Sequence, residues 1–370
     1  MYIVYVSPKY HPSIGGVEYT VQKLAEGMRA RGHEVAVVCG SPSAKKVKTE
    51  EVNRIEVLNV PTYSPKNAFH VPRNRTAIEN FLKKDIDVVH THSVHAVIST
   101  LPLMLKKSMN PKWKLVYTLH FSTLGYTFFR KVLWKLFWKR RINSSLKYVD
   151  AIHSTSVLES NVIVEQFSNT KGRLTLIPLG IEEDVFHYSW RGKDSDYILY
   201  CGRLEKYKQI DLAVKSIEYV REQGYDFKFV VVGAGSRSNY FRKLSERDGG
   251  IMYLQPRPRK EYLKLLSNAR AVINLSSAEN FNLFLAESCV IGTPIIATPG
   301  AIAFYPEFAN VNTLKPDVIA HVIIEAISRP KTCIFPKTCA PAPWKDVIKQ
   351  FETFYTKVLD STAKDLKGER

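Results

Sequence analysis

Residues 271–299 read AVINLSSAENFNLFLAESCVIGTPIIATP and contain two short apolar runs on either side of a helix-like segment. The runs at 271–277 and 294–299 predict strands, and a helix is predicted to begin near Leu283. Glu279 then lies in the loop after the first strand, and Glu287 lies within the early helix. Near-continuous apolar runs are typical of parallel strands buried on both faces. The stretch therefore predicts a strand–helix–strand unit of a parallel sheet.

The same alternation of strand-like and helix-like segments fills both halves of the chain. It begins with the strand YIVYVS at residues 2–7 and restarts with YILYCG at 197–202, after the charged segment at 191–195. A chain of 370 residues suits two domains better than one. Strand–helix alternation in each half predicts an α/β protein with two doubly wound, Rossmann-like domains.

Composition limits the classes of partner and compartment. The formal net charge of +18 favours anionic partners such as phosphates, nucleic acid or an acidic membrane surface. The five cysteines are scattered, without a C-x-x-C pair, so a disulfide framework and a zinc site are not expected. The N-terminus lacks a basic region followed by a long apolar run, and the longest uncharged stretch, 88–105, contains three histidines and Pro102. We therefore expect neither a signal peptide nor a membrane span, and a cytoplasmic protein.

Glycines and cations follow several of the predicted strands, at the edge where doubly wound sheets bind ligands. Gly15 and Gly16 precede the first helix, where backbone N–H groups can hold a diphosphate. Arg203 and Lys208 could clamp a diphosphate in the loop after the first strand of the second half. The competing interpretations are a flexible turn and solvated surface charge.

Gly233 and Gly235 follow the strand KFVVV but do not complete a dinucleotide fingerprint. Ser238 occupies the position of its third glycine. A nicotinamide dehydrogenase is therefore disfavoured, whereas a tight turn close to a nucleotide remains possible.

Four histidines cluster in the first half, at His90, His92, His95 and His120. No carboxylate or cysteine shares their local spacing, so no metal is expected. His120 follows the strand KLVYTL and suits hydrogen bonding or proton transfer at a ligand. A structural histidine with satisfied hydrogen bonds is the alternative.

Residues 127–141 read TFFRKVLWKLFWKRR and combine aromatic side chains with six cations and no acid. On a helical wheel the aliphatic residues and phenylalanines mark one side, and the two tryptophans fall among cations on the other. Tryptophans among cations suit an anionic bilayer interface. No nucleic-acid motif accompanies them, and a helix packed inward with a solvated basic face is the alternative. The expected membrane-surface residues are Arg130, Lys131, Trp134, Lys135, Trp138, Lys139, Arg140 and Arg141.

Taken in order, these segments resemble one enzyme family. The chain is similar over nearly its whole length to the retaining GT-B glycosyltransferases of the "glycosyl transferases group 1" family. The resemblance lies in five segments and their order: SPKYHPSIGGVEYTVQKLAEGMRARGHEVAVV, DVVHTHS with TLH, IPLGIEEDVF, CGRLEKYK, and AENFNLFLAES followed by GTPIIAT.

The resemblance implies a fold, a reaction and a set of site residues. It implies two Rossmann-like domains facing a cleft, an acceptor domain at 1–188, a nucleotide-sugar domain at 189–343, and a helix at 344–370 that crosses back. The implied donor is UDP- or GDP-linked, with no metal and no other cofactor. Glu279 is implied at the sugar, Glu287 at the ribose, and His120 at the reaction centre. Donor contacts are implied for Gly15, Gly16, Arg203, Lys208, Gly233, Gly235, Asn280, Phe281, Asn282 and Leu283.

Three departures from the family pattern bear on the donor. Gln209, Asn280 and Asn282 stand where glycines are usual. Asparagine tolerates left-handed backbone, so Asn280 and Asn282 could replace glycine, or their amides could contact the donor sugar. The expected enzyme acts on a lipid or lipid-linked acceptor at the cytoplasmic face of a membrane. A soluble acceptor and a non-catalytic sugar- or nucleotide-binding protein remain as alternatives.

Overall fold

The computed structural model describes residues 1–13, 15–121, 138–168, 170–330 and 340–361. The chain forms two compact units. The first comprises Met1–Thr155, Glu159–Leu179 and Trp344–Arg370, and the second comprises Ser156–Leu158 and Gly180–Pro343. The predicted change of domain at 188 lies within the second unit, whose main segment begins at Gly180. Within the described ranges, no helix is long and apolar enough to cross a membrane.

The first unit is built on a largely parallel sheet. Its strand order is β3-β4-β2-β1-β6-β7-β8-β9, with β5 paired to β4; among the described strands of this sheet, only β3 and β5 run antiparallel to their partner. The order reverses at β1, which lies between β2 and β6. The strands are β1 Tyr2–Ser7, β2 Glu34–Ser41, β3 Lys48–Val52, β4 Ile55–Tyr63, β5 Val71–Pro72, β6 Val88–His92, β7 Lys114–Thr118, β8 Ala151–Ser154 and β9 Leu174–Leu176.

Helices pack on this sheet through apolar stripes. The first helix buries Val21, Leu24 and Met28 at helical spacing and contacts the C-terminal helix. That C-terminal helix belongs to the first unit and buries Phe351, Phe354 and Tyr355. The helices are α1 Gly16–Ala30, α2 Arg75–Phe81, α3 Val97–Met109, α4 Lys139–Leu146, α5 Val157–Gln166 and the C-terminal helix Trp344–Asp360.

The second unit repeats the architecture with a fully parallel sheet of order β12-β11-β10-β13-β14. The order reverses at β10, so the crevice at the carboxyl ends of β10 and β13 is a topological switch point. The strands are β10 Tyr197–Cys201, β11 Lys228–Val232, β12 Ile251–Leu254, β13 Ala271–Asn274 and β14 Ile295–Ala297. The helices are α6 Ile210–Glu222, α7 Ser238–Arg247, α8 Arg259–Asn268, α9 Leu283–Ile291 and α10 Pro316–Ser328, and the C-terminal helix is α11.

The predicted α/β fold class is confirmed, and two strands lie outside the prediction. Strand β3 reads KTEEV and exposes most of its residues at the edge of the sheet, so it carries no apolar signal. Strand β5 is two residues long and includes Pro72. Edge strands that are short, polar or contain proline are how natural sheets limit edge-to-edge association.

Candidate functional site

The switch point of the second unit brings together the two loops that follow β10 and β13. The first loop carries Arg203 and Lys208, and the second carries Glu279. The backbone N–H of Ser277 donates to the carbonyl of Tyr207 over 3.3 Å, which fixes the loops against each other. Two segments 71 residues apart in sequence thus meet at one edge of the sheet.

Lys208 and Glu279 form an ion pair at this edge. The Lys208 ammonium donates to Glu279 Oε1, and both side chains are largely withdrawn from water. An ammonium has three N–H donors, so two remain for other acceptors. Arg203 is exposed, and its guanidinium donates to the Tyr207 hydroxyl over 2.9 Å. The arrangement supplies two cations and one carboxylate, which suits a ligand with an anionic group and hydroxyl groups.

Gly233 and Gly235 allow the loop after β11 to lie directly against the loop after β10. A Cβ atom on Gly233 would stand 1.9 Å from the carbonyl oxygen of Gly202, and Gly233 has φ +150°. A Cβ atom on Gly235 would stand 2.6 Å from the carbonyl oxygen of Leu204. These glycines therefore have a packing role that the sequence analysis did not foresee. Their contact with a donor stays a prediction.

Gln209, which stands where the family pattern usually has glycine, adopts a backbone conformation that favours glycine. It lies between Lys208 and α6 with φ +53° and ψ 35°, in the left-handed region. This conformation turns the chain from the Lys208 loop into the helix. A side chain at this position therefore adds a steric cost that glycine would not have.

Asn280 and Asn282 do not act as left-handed substitutes for glycine. Neither residue has a positive φ, and Asn282 has φ −102°. Asn282 is instead the N-cap of α9, where its Oδ1 accepts from the Leu285 N–H over 3.4 Å. Its Nδ2 is buried and has no partner among the described residues. Helix α9 begins at Leu283, as predicted, and Phe281 packs against Phe304.

Glu287 is buried within α9 and held by two residues of α8. Arg259 Nη1 donates to its Oε1 over 2.7 Å, and the Tyr262 hydroxyl donates to its Oε2 over 2.5 Å. Arg259 also forms a two-pronged pair with Asp184, over 2.9 and 3.0 Å. Burial raises the pKa of Glu287, and the two donors act against that rise. Sequence reasoning missed Arg259, Tyr262 and Asp184, because a sequence does not show that α8 lies beside α9.

In the first unit, the start of α1 already faces an acid of the chain. A Cβ atom on Gly15 would stand 2.2 Å from the Glu18 carboxylate, whereas nothing lies within 4 Å of a Cβ atom on Gly16. Glu18 also pairs with Lys9 at 3.8 Å. A diphosphate at Gly15 and Gly16 stays a prediction, and it requires Lys9 to balance the charge of Glu18.

Buried histidines of the first unit belong to a hydrogen-bond chain across the sheet. His153 Nε2 lies 2.8 Å from the Ile177 carbonyl, so this nitrogen carries the proton. His153 Nδ1 then accepts from the Thr118 hydroxyl over 2.7 Å, and Thr118 accepts from His90 Nε2 over 2.7 Å. His90 Nδ1 accepts from the Tyr355 hydroxyl of α11, again over 2.7 Å. The chain joins β6, β7 and β8 to the C-terminal helix.

His120 lies at the end of this group, just after β7. It adopts φ +48°, and its Nε2 lies 3.1 Å from His92 Nδ1. Burial, assisted by His153, lowers the pKa of His120 to about 3. Burial and neighbouring imidazoles also lower the pKa of His92. Both rings are therefore neutral at pH 7 and able to accept a hydrogen bond. Within the described ranges, no group of three or more metal-ligating side chains has the geometry to hold a metal.

The basic segment at 127–141 is described only from residue 138 onward. Trp138 is half-buried and packs against the core of the first unit, as do Ile142 and Leu146 on the same helical face. The helical wheel had put Trp138 on the side of the cations, so this part of the prediction is wrong. Arg140 and Arg141 are exposed, and Lys139 donates to Gln166 over 3.0 Å. The expected surface residues Arg130, Lys131, Trp134 and Lys135 lie outside the described residues.

Two family models match the chain, one after the other. The model described as Glycosyltransferase Family 4 matches residues 14–185. The model described as Glycosyl transferases group 1 matches residues 183–333. The two matches overlap at 183–185, just inside the second unit.

Several curated proteins resemble the chain over most of its length. Alpha-monoglucosyldiacylglycerol synthase of Acholeplasma laidlawii is 27% identical over 324 residues, or 78% of each protein. One of the human phosphatidylinositol N-acetylglucosaminyltransferase subunits is 24% identical over 96% of this chain and 73% of the relative. GDP-mannose-dependent alpha-(1-6)-phosphatidylinositol dimannoside mannosyltransferase of Mycobacterium tuberculosis is 21% identical over 90% of this chain and 89% of the relative.

Solved structures share the fold. Sucrose-phosphate synthase from Thermosynechococcus elongatus aligns over 98% of this chain and 100% of its own, with a TM-score of 0.70 and 17% identity. A glycosyltransferase from Rickettsia africae aligns over 98% of this chain and 99% of its own, with a TM-score of 0.69 and 15% identity.

Proposed function

The chain belongs to the glycosyl transferases group 1 family and is a glycosyltransferase of the GT-B fold, and from this we propose that it moves a hexose from a UDP- or GDP-linked donor to a lipid or lipid-linked acceptor. The transfer retains the anomeric configuration and needs no metal. It takes place at an anionic membrane surface. The Lys208–Glu279 pair at the switch point of the second unit carries the proposal.

The donor's anionic diphosphate and its neutral sugar match the two members of this pair. In the transfer, the acceptor oxygen bonds to the anomeric carbon as the bond from that carbon to the diphosphate breaks. The nucleoside diphosphate leaves with the electron pair and takes up the acceptor proton. Lys208 and Arg203 stabilise the negative charge on the diphosphate, and Glu279 accepts hydrogen bonds from the sugar hydroxyls. The N-terminus of α9 adds N–H donors. Its cap, Asn282, is a neutral amide and not a carboxylate, so the cap does not repel an anion there.

Ribose hydroxyls of the donor bind Glu287. Its carboxylate is held by Arg259 and Tyr262, so it is ordered before the donor arrives. Each carboxylate oxygen has a second lone pair, so the 2′- and 3′-hydroxyls still find acceptors. On the acceptor side, the neutral His120 accepts a hydrogen bond from the acceptor.

The acceptor class rests on the relatives and on charge. The three relatives above are named for diacylglycerol or phosphatidylinositol products and substrates. The net charge of +18 suits an anionic lipid surface. A glycosyltransferase with a soluble acceptor is the second candidate, favoured by the inward packing of Trp138, Ile142 and Leu146.

Nucleotide release tests the donor half of the proposal. The full chain is incubated with UDP- or GDP-linked hexoses and lipid vesicles that contain candidate acceptors, with EDTA present. We expect release from one donor class, and a fall in kcat on the order of a hundredfold or more in Lys208→Gln and Glu279→Gln.

A matched control is the exposed ion pair at the opposite edge of the same sheet. Lys228 and Asp196 pair at 2.8 Å at the start of β11 and β10, so Lys228→Gln should leave turnover unchanged. If no donor releases nucleotide, or if Lys208→Gln and Glu279→Gln match the wild type, the catalytic proposal is wrong.

A further inference from the structure

The ribbon formed by β4 and β5 exposes apolar side chains in the first unit. Tyr63, Phe69 and Val71 are 58%, 46% and 38% exposed. Tyr63 and Val71 are directly opposite each other in the antiparallel pair, so they share one face of the ribbon. Adjacent exposed apolar side chains of this size mark interaction surfaces more often than isolated ones do.

A fixed backbone holds Phe69 in this exposed position. Phe69 has φ +64° and His70 has φ +42°, a conformation that is sterically unfavourable for a bulky residue. Their carbonyls accept from the N–H groups of Val97 and Ile98 over 2.6 and 3.2 Å, at the start of α3, which has no side-chain cap. The His70 ring also hydrogen-bonds to Ser64 over 3.1 Å. The capping of α3 therefore explains the backbone, but it does not require an exposed aromatic side chain at position 69.

The exposed ribbon is continuous with the basic helix. The ring of Phe69 stacks on that of Trp138, with centroids 6.5 Å apart and planes at 19°. Trp138 precedes α4, whose Arg140 and Arg141 are exposed. We define the aromatic patch as Tyr63, Phe69 and Val71; the half-buried Trp138 packs on the core and supports Phe69 from beneath.

Exposed cations flank the aromatic patch. Arg73 directly follows β5, and Arg140 and Arg141 lie on α4; all three side chains are exposed. Residues 64–78, which join β4 to β5 and continue beyond it, contain no aspartate or glutamate. An apolar and aromatic surface within such a region matches the interface of a bilayer that contains anionic lipids.

The patch also lies at the functional edge of the sheet. Strand β4 is parallel to β2, β1, β6 and β7, so Tyr63 ends on the same edge as His92 and as the loop that carries His120. We propose that the aromatic patch inserts into the interface of an anionic bilayer and brings that edge of the first unit to lipid acceptors. This inference rests on the proposed function and adds the surface through which the membrane is reached.

Vesicle flotation tests the inference on the full chain. The variants are Phe69→Asn, which suits left-handed backbone, and Tyr63→Thr, which suits a strand. Tyr219→Thr, which replaces an exposed tyrosine of α6 in the second unit, is the control. On vesicles of phosphatidylcholine with phosphatidylglycerol, we expect Phe69→Asn to lower partitioning about tenfold, and the double variant with Tyr63→Thr to lower it further. The control should bind as the wild type does, and Phe69→Asn should melt at the same temperature or higher.

The outcomes separate this inference from the proposed function. If the wild type floats and the patch variants float equally well, the protein binds membranes through another surface and the role proposed for the patch is wrong. If the wild type does not float on anionic vesicles, the role proposed for the patch and the proposed membrane location are both wrong. The donor site is tested separately, by the thermal shift that UDP- and GDP-hexoses produce. If the variants convert a dimer into a monomer without a change in flotation, the patch is an interface between two copies and the inference is overturned.

Discussion

Lys208 and Glu279 lose most of their water and are held against each other at the end of β10 and β13. A partly buried ion pair repays little of its desolvation cost, and well-packed apolar residues often stabilise a fold as well or better. Fold stability alone is therefore a weak reason for this pair. Donor binding explains the pair better, because the donor's diphosphate gives Lys208 a second partner and its sugar hydroxyls give Glu279 one.

The residues of this pair could be chosen from the sequence, but their contact could not. The spacing after each strand predicts that both loops lie at the carboxyl edge of a sheet. Which strands are neighbours depends on the sheet order, and β10 is next to β13 only because the order reverses there. The contacts of Arg259 and Tyr262 with Glu287 were not predicted for a related reason, because they depend on α8 lying beside α9.

Gln209→Gly should stabilise the protein. Gln209 has φ +53°, which glycine adopts without the steric cost that a side chain incurs. After the greater entropy of glycine in the unfolded chain is subtracted, we expect a gain of about 0.5–1 kcal/mol in the free energy of unfolding. Urea unfolding measures it. Gln223→Gly, at the other end of α6 with φ −86°, is the control and should lose stability, so equal effects at both positions would contradict the argument.

At the scale of elements, the strands whose two faces are covered by apolar packing were the predictable ones. Strands β1, β10, β11 and β13 are apolar runs because parallel strands are covered on both faces. Strand β3 forms through its pairing with β4 while its side chains face water, so its sequence carries a polar pattern instead. The start of α9 was predicted correctly, but the reason was not, because Asn282 caps the helix and does not replace a glycine's conformation.

Asn282→Asp should separate the stability of α9 from donor binding. A carboxylate keeps the N-cap acceptor and interacts favourably with the helix dipole, so the melting temperature should hold or rise. The added negative charge repels the diphosphate that we propose at this helix end, so donor affinity should fall tenfold or more in calorimetric titration. Asn282→Ser keeps a neutral cap and should bind the donor about as the wild type does. Equal donor affinity of Asn282→Asp and wild type would place the diphosphate elsewhere.

Across the whole molecule, the hydrogen-bond chain of the first unit joins residues far apart in sequence. His90 and Tyr355 are separated by 265 positions, and Thr118 and His153 by 35. The sequence shows that histidines cluster, and it leaves open whether they serve hydrogen bonding or proton transfer at a ligand or are structural. Only the folded arrangement shows that His90 and His153 serve as neutral links between strands and the C-terminal helix.

These buried links predict a dependence of stability on pH. Burial lowers the pKa of His153 to about 4 and also lowers the pKa of His90, against about 6.5 in an unfolded chain. Below pH 6.5 the unfolded chain binds protons that the folded chain does not, so stability falls as the pH decreases from 6.5 towards 4. Each such histidine contributes a slope of up to about 1.4 kcal/mol per pH unit in this window. Glu159 and Glu287, whose pKa values burial raises, act in the opposite direction, so the wild-type curve alone does not isolate the histidines.

The comparison of His153→Asn with the wild type isolates one of these links. We expect the variant to be less stable at pH 7.5, because Thr118 and the Ile177 carbonyl lose a partner, and to lose less further stability between pH 6.5 and 5. Urea unfolding at half-unit steps of pH measures both quantities. His321→Asn, at an exposed histidine of α10, is the control and should follow the wild-type curve. Parallel curves for His153→Asn and the wild type would mean that His153 is protonated in the folded protein, and the assigned direction of the chain from Tyr355 to Ile177 would then be wrong.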